Sequence, residues 1–469
     1  MHERMNELGN ASIRTLLIKY SAPAMVAMFV NSMYNLVDTI FVSYGAGTMA
    51  LAALAVSWPI QMIVVAMGMA VGIGTASVVS RSLGARDVDR ANRVAGTSFV
   101  TIGVLALIVT GLAYIFMRPL LSLFGATENI MPFAVDYLSI VFIGNFFMCS
   151  AISANNIIRS EGAARIAMIG MIIGAVTNTV LDPIFIFGFD MGIKGAAVAT
   201  VIANIATFGF ICWYFTSGRS MLKIHRRDLI PDFSELPEVF KIGSASFFSM
   251  IVGSVMAIPI NGLIIKYGAD IHLAIMGVGN RAMMFFFMPI YGLTQGLQPI
   301  IGFNYGAKNL DRVRETVKTA ASYSTILSSL AFMVLMFGTW PVMRLFSPDL
   351  ELVAEGVPIM RTLIICMPFV GFQMVGGAFF QALGQAAPAF VLTISRQVLV
   401  LLPLIYILPQ TYGIGGLWAS FPIADFVSTA ITIVWVLYAV KTLEKNYKPL
   451  PSPMPVATED DPDAVTANS

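Results

Sequence analysis

Residues 51–90 read LAALAVSWPIQMIVVAMGMAVGIGTASVVSRSLGARDVDR, and this stretch decides the fold. Residues 51–80 contain no Asp, Glu, Lys or Arg. At about 1.5 Å per residue, a helix of this length crosses a hydrocarbon core about 30 Å thick. Arg81, Arg86 and Arg90 follow directly. A long uncharged segment that ends in a cluster of arginines is typical of a membrane span that reaches the cytoplasmic surface.

The rest of the chain has a similar composition. Of its 469 residues, 57% are hydrophobic and 12% are charged, and the mean hydropathy is +0.80. Soluble proteins contain about 25% charged residues, so a water-soluble enzyme is excluded. A net charge of +2 excludes a nucleic-acid binder. We expect an all-α integral membrane protein with twelve transmembrane helices. The predicted spans are 15–43, 51–79, 93–116, 132–158, 166–187, 194–215, 239–266, 273–301, 316–339, 355–381, 388–408 and 415–440.

Basic residues orient these spans. Most of the 28 Lys and Arg residues lie near the N-terminus, in alternate loops and after the last span. The positive-inside rule therefore places both termini in the cytoplasm, in a multi-pass protein of the cell inner membrane. Residues 217–238 are the longest polar interruption and are predicted to be a cytoplasmic linker. The Pro-rich, acidic residues 447–469 are predicted to be a disordered cytoplasmic tail.

The two halves of the chain align with each other at a nearly constant offset of 222 or 221 positions. The aligned stretches are 84–90 (GARDVDR) with 306–312 (GAKNLDR), 159–164 (RSEGAA) with 381–386 (QALGQA), and 192–195 (GIKG) with 413–416 (GIGG). We therefore predict two pseudo-symmetric six-helix bundles around a central cavity, an N-lobe at 1–216 and a C-lobe at 239–446. Repeats of this kind are typical of alternating-access transporters, and the alternative is a duplicated scaffold that transports nothing.

Asp38, Asp182 and Asp425 lie within apolar spans. An acid in a bilayer costs about 2.5–3.5 kcal/mol, so it usually faces a water-filled cavity and binds or relays a cation. Asp38 and Asp182 lie at similar depths, near the outer ends of the first and fifth spans, and Asn178 and Thr200 can join them. We predict that this group shares one proton or binds one Na⁺, with the two carboxylates as the metal ligands. The alternative is polar contact between helices.

The repeat offers an internal comparison for these residues. Their counterparts are all apolar: Asp38 aligns with Ile260, Asn178 with Val400, Asp182 with Leu404, and Thr200 with Phe421. The predicted ion site therefore belongs to the N-lobe alone. Asp425 is predicted to be either a second titrating site or a partner of Arg396. Pro23 is predicted to let the first span bend when the charge of Asp38 changes.

Further motifs are residues 35–42 (NLVDTIFV), 84–86 (GAR), 159–162 (RSEG), 178–183 (NTVLDP) and 296–307 (GLQPIIGFNYGA). Together they resemble the multidrug and toxic compound extrusion (MATE) transporters of the bacterial and archaeal branch, over roughly residues 14–440. The resemblance implies cation-coupled export of organic cations, and it adds Tyr137 and Asn155 to the N-lobe site. Some relatives carry coupling acids in the seventh and tenth spans, but this chain has Ile260 and Asn261 in the seventh and no acid at 363–380.

We therefore expect an antiporter driven by H⁺ or Na⁺ that exports small organic cations or drugs. The chain has no P-loop, HExxH or GxSxG motif, so we expect neither ATP drive nor an enzyme. Its expected partners are substrate and membrane lipid, with no nucleic acid and no cofactor beyond the coupling ion, and we expect a monomer. The alternative functions are a flippase for lipid-linked precursors of the same superfamily, which would need a more cationic cavity, and a membrane-embedded enzyme.

Overall fold

The computed structural model describes residues 2–347 and 349–446, and every regular element in these ranges is a helix. The predicted tail at 447–469 lies outside the described residues. The helices long and apolar enough to span a membrane are Ile13–Gly47, Ala52–Gly84, Val88–Leu123, Met131–Ser160, Ala164–Gly188, Ile193–Thr216, Leu236–Tyr267, Asp270–Gly306, Leu310–Phe337 and Ala386–Thr442. The pair Leu350–Leu363 and Met367–Ala382, bent by 51°, forms one more span. Short helices at His2–Asn10 and Thr339–Phe346 precede the first span and follow the ninth.

The helix Ala386–Thr442 contains two spans rather than one. Its 57 residues would extend about 85 Å, nearly three times the thickness of the hydrocarbon core. The backbone leaves the helical conformation at Gly413, where φ is 56° and ψ is −143°. The eleventh and twelfth predicted spans, 388–408 and 415–440, lie on either side of this break. The chain therefore crosses the bilayer twelve times.

The internal repeat is also visible in the backbone torsion angles. Positive φ values occur in aligned pairs: Arg86 (62°) with Lys308 (57°), Gly162 (78°) with Gly384 (76°), and Gly192 (53°) with Gly413 (56°). The caps of the third and ninth spans match as well. Asp87 accepts a hydrogen bond from the backbone N–H of Arg90 (2.9 Å), and Asn309 accepts one from that of Arg312 (3.4 Å). The two halves therefore use the same turns at corresponding positions, as expected for a duplicated six-helix bundle.

One end of the molecule, which we call the basic end, carries the helix His2–Asn10 and the loops at 85–87, 161–163, 217–235 and 307–309. The two halves are closely packed there. Gly84 lies against the backbone of Phe303, and Gly306 against that of Arg81, so that a Cβ atom at either glycine would collide. Glycine at these positions lets the second and eighth spans approach backbone to backbone.

Ion pairs and hydrogen bonds reinforce this contact. Arg81 pairs with Glu238 at 2.8 Å, and Arg90 pairs with Glu235 at 2.9 Å and with Glu238 at 2.7 Å. The hydroxyl of Ser77 donates to the carbonyl oxygen of Gln381 in the other half. These bonds join the second and third spans to the seventh and tenth. The basic end of the interface between the halves is therefore closed.

Candidate functional site

The first and fifth spans bring the carboxyl groups of Asp38 and Asp182 within hydrogen-bonding reach of each other. Both residues lie in the parts of their spans that are remote from the basic end. Asp182 is 0% exposed, whereas Asp38 is half-buried. The pair is therefore enclosed within the first half, and Asp38 is its more accessible member.

Two neutral polar side chains complete this group. Asn178 lies one helical turn before Asp182 and so shares its face of the fifth span. Its amide donates to Asp182 Oδ1 at 3.3 Å and to Thr200 Oγ1 on the sixth span at 3.3 Å. The structure thus brings together Asp38, Asp182, Asn178 and Thr200, as the sequence analysis grouped them.

Several oxygens of this group are buried without a donor. Among the described residues, Asp38 Oδ1, Asp182 Oδ2 and Asn178 Oδ1 accept no hydrogen bond. Two carboxyl groups in contact need a proton or a cation between them, because two negative charges at this distance repel each other. Carboxylate and amide oxygens also bind hard cations. The arrangement can therefore hold one small cation, and either H⁺ or Na⁺ fits this donor set.

Phenol and amide groups surround the pair. Tyr137, on the fourth span, is 6% exposed and lies beside Gln61 and close to both carboxyl groups. Tyr34 is also close to both. Sequence reasoning missed Tyr34 and Gln61. Tyr34 precedes Asp38 by four residues and so lies on the same helix face, and Gln61 interrupts an apolar span, so both carried a usable signal.

The structure does not bring Asn155 to the carboxyl pair. Its amide donates to the carbonyl oxygen of Ala167 at 2.9 Å, and its Oδ1 accepts from Arg159. Ala167 lies near the start of the fifth span and Asp182 near its end, which are about 22 Å apart along the helix. Asn155 therefore joins the fourth and fifth spans near the basic end.

Pro23 and Asp425 occupy other parts of the fold. The first span continues in helical conformation through Pro23, which is buried, and the backbone departs from that conformation at Gly47 (φ 82°). Asp425 is 5% exposed and forms an ion pair with Arg396 of the eleventh span. This pairing is the second of the two alternatives considered for Asp425.

The described part of the chain has no group of three or more His, Cys, Asp or Glu side chains arranged to hold a metal ion. A Na⁺ at the carboxyl pair would therefore depend on neutral oxygens as well as on Asp38 and Asp182. Asn178, which contacts Asp182, and Thr200, which contacts Asn178, carry such oxygens.

Comparison with known proteins gives a consistent result. A family model described as MatE matches residues 23–184 and 245–407, once in each half. Multidrug export protein MepA of Staphylococcus haemolyticus (strain JCSC1435) is 26% identical over 439 residues, which are 94% of this chain and 96% of that protein.

Solved structures are similar over nearly the whole chain. The MATE multidrug transporter DinF-BH, solved as a complex, is 42% identical, with a TM-score of 0.86 over 92% of this chain and 96% of that one. An outward-facing conformation of a MATE family transporter is 27% identical, with a TM-score of 0.89 over 94% and 98%. These matches confirm the predicted fold of twelve helices in two six-helix bundles. The chain therefore belongs to the MatE family, and it is a multidrug and toxic compound extrusion (MATE) transporter rather than an enzyme.

Proposed function

We propose that the protein exports organic cations or drugs in exchange for H⁺ or Na⁺, by alternating access. The contact between the carboxyl groups of Asp38 and Asp182 is the observation that carries this proposal. A buried pair of acids inside a transporter can take up one small cation and release it when its access to water changes sides. Export of drugs is supported by the names of the relatives, MepA as a multidrug export protein and DinF-BH as a multidrug transporter.

The difference between the halves supports a coupling site in the N-lobe. The counterparts of the four polar residues are Ile260, Val400, Leu404 and Phe421, and all four belong to one apolar cluster of the second half. A group needed only to hold a six-helix bundle together would be needed in both halves. We therefore assign ion coupling to residues 1–216, with residues 239–446 as the second lobe and 217–238 as the linker.

The closed basic end supports a defined step of the transport cycle. We propose that both termini are cytoplasmic, because the basic loops lie at that end. The carboxyl pair lies remote from it and would then be reached from outside the cell. An ion that enters there neutralises the pair and favours closure of the outer side. Opening of the basic end then exchanges the ion for substrate on the cytoplasmic side.

The flippase alternative is not favoured. A pyrophosphate group needs a cationic cavity, but Arg396 on the cavity wall of the second half is paired with Asp425 and adds no net charge. We therefore propose organic cations rather than lipid-linked precursors as the cargo of a monomeric inner-membrane transporter.

The test uses proteoliposomes that contain ethidium as substrate, with pH and sodium gradients imposed separately. We expect wild-type protein to move ethidium under one of the two gradients. Asp38→Asn and Asp182→Asn should lower that rate by about tenfold or more, because an amide takes up no proton in this pH range and carries no negative charge to balance Na⁺. Asp136→Asn is the matched control, since Asp136 pairs with Lys194 at 3.1 Å on the surface, half-exposed. Full gradient-driven transport by Asp38→Asn would contradict the proposal.

Pro23 is proposed to couple ion occupancy to the shape of the first span. Its ring removes one backbone hydrogen bond, so bending there costs less than elsewhere in the helix. Pro23→Ala is expected to lower the ethidium transport rate severalfold while equilibrium binding of ethidium stays within about twofold. Measurement of both quantities on one preparation checks this, and an unchanged transport rate would argue against a bending role.

A further inference from the structure

The second half contains a cavity of about 370 Å³ that the proposed ion coupling does not use. Small-molecule sites usually measure about 300–1,000 Å³. Ile260 and Phe421, the counterparts of Asp38 and Thr200, both line this cavity. The cavity of the second half thus reaches the positions that correspond to Asp38 and Thr200, whereas Leu404, the counterpart of Asp182, is not part of its lining.

Most of the cavity wall is apolar and adaptable. The side chains that give it this character are Met256, Met276, Met283, Met284, Met367 and Phe287. Methionine has three rotatable bonds and a polarizable sulfur atom, so such a wall can adjust to ligands of different outline. The wall therefore suits the apolar part of a ligand without selecting one shape.

The charged residues of the cavity wall form one ion pair, and Asn261, Asn280 and Gln397 add neutral polar groups. Arg396, from the eleventh span, bonds through its Nε to Oδ1 of Asp425, on the twelfth. The side chain of Asp425 is 7% exposed and that of Arg396 is 33% exposed. The two terminal nitrogens of the guanidinium are not used in this bond. Arg396 also lies in a π-helical turn, Ser395–Leu401, a distortion that often marks a functional site.

The ion pair restricts the charge of a ligand. A cation that took Asp425 would leave the half-buried Arg396 without its partner, and an anion on Arg396 would do the same to the buried Asp425. Leaving one member of a buried pair uncompensated is strongly unfavourable. A ligand with both charges satisfies both residues at once, because its ammonium group contacts the carboxylate and its carboxylate contacts the guanidinium.

We infer that this cavity is a second substrate site and that it binds amphipathic zwitterions, with the apolar part among the methionines and the two charged groups on Asp425 and Arg396. The inference extends the proposed function, which concerns cations, by a second charge class. It is tested by equilibrium binding without an ion gradient, so its outcome is independent of the outcome for ion coupling.

The test titrates full-length protein in dodecyl maltoside at pH 6.5 with three fluorescent probes of similar size. Nε-dansyl-lysine is a zwitterion, its methyl ester is a cation, and its Nα-acetyl derivative is an anion. Dansyl emission increases in an apolar site. We expect the zwitterion to bind at least about tenfold more tightly than either analogue. Equal affinities, or no saturable binding of the zwitterion, would overturn the inference.

Variants of the ion pair make the test specific. Arg396→Gln should invert the order so that the cationic ester binds best, and Asp425→Asn should favour the anion, because each variant leaves one charge available. Loss of folding cannot produce such opposite inversions. Arg281→Gln, an exposed arginine outside the cavity lining, is the matched control and should keep the wild-type order.

A double variant covers the case in which a single variant does not fold. Arg396→Met with Asp425→Leu removes both charges, and apolar replacement of a buried ion pair is often tolerated. All three probes should then bind with affinities within about twofold of one another. A zwitterion preference that survives in Arg396→Gln or in the double variant would overturn the inference.

Discussion

At the scale of single residues, two buried acids of the first half show that burial alone does not mark a functional site. Glu161 is 0% exposed, and its carboxylate accepts from the hydroxyls of Tyr214 and Ser220 and from the backbone N–H of Met221 at 2.6 Å. Asp182 is equally buried, but it has one amide donor, a second carboxyl group beside it and an oxygen without a partner. Glu161 is a satisfied structural group, whereas Asp182 has capacity left for an ion.

Glu161→Gln should therefore destabilise the protein. The NH₂ group of the new amide would face the O–H and N–H donors that now bond to a carboxylate oxygen, and two donors cannot form a hydrogen bond with each other. Loss of a charge-assisted hydrogen bond costs about 1.5–3 kcal/mol, so the midpoint of thermal unfolding in detergent should fall by several degrees. Glu355→Gln, at an exposed position in the tenth span, is the control and should change the midpoint little. An unchanged midpoint for Glu161→Gln would show that these hydrogen bonds make no net contribution to the stability of the protein.

The sequence identified the two acids because a carboxylate in an apolar span is rare and costly. It did not single out Tyr34 or Gln61, because tyrosine and glutamine are common in membrane spans. Tyr34 could have been found from its position one helical turn before Asp38, whereas the position of Gln61 beside Tyr137 depends on how the second and fourth spans pack. Asn155 came from family resemblance alone, and the contact it makes with Ala167 depends on a helix register that spacing does not reveal.

At the scale of elements, the sharp connections between spans depend on a few backbone conformations. The predicted spans were shorter than the helices, 15–43 against Ile13–Gly47 for the first, because helices continue beyond the apolar segment that hydropathy detects. The break between the eleventh and twelfth spans was predictable, because Gly413 aligns with Gly192, which lies between the fifth and sixth predicted spans. In the structure both glycines have positive φ.

The turn at Gly413 gives a prediction that separates backbone strain from packing. A Cβ atom added at Gly413 or at Gly415 meets nothing within 4 Å. At Gly413, φ is +56°, so Gly413→Ala should cost about 1–3 kcal/mol through strain. Gly415 is helical, so Gly415→Ala should stabilise by about 0.5–1 kcal/mol. Thermal midpoints should therefore move in opposite directions, and a shift of both in the same direction would contradict this account.

At the scale of the whole molecule, the repeat made two six-helix bundles predictable, because aligned turns impose the same path on each half. The sequence did not predict which end of the interface is closed. Closure depends on the ion pairs of Glu238, on the seventh span, with Arg81 and Arg90 of the first half. The charges of the loops alone do not indicate which distant residues will pair. The same pairs must separate if the basic end opens during transport.

Glu238→Gln should therefore shift the protein toward opening at the basic end. It removes two partly exposed ion pairs, worth roughly 1–1.5 kcal/mol together, which corresponds to about a tenfold change in the open population. The reporter is Ser77→Cys, because Ser77 is 0% exposed and contacts Gln381 across the interface. Its labelling by an impermeant maleimide, added from the basic end, should become about tenfold faster.

Site-resolved mass spectrometry separates this label from that on Cys212, which is exposed in the wild-type chain. Glu315→Gln, an exposed acid of the ninth span near the same end, is the matched control and should leave the labelling rate of Ser77→Cys within about twofold. High salt should partly reproduce the effect of Glu238→Gln in the wild-type background, because it screens partly exposed charges. If neither Glu238→Gln nor salt changes the labelling rate, the close glycine contacts rather than the ion pairs hold the basic end closed.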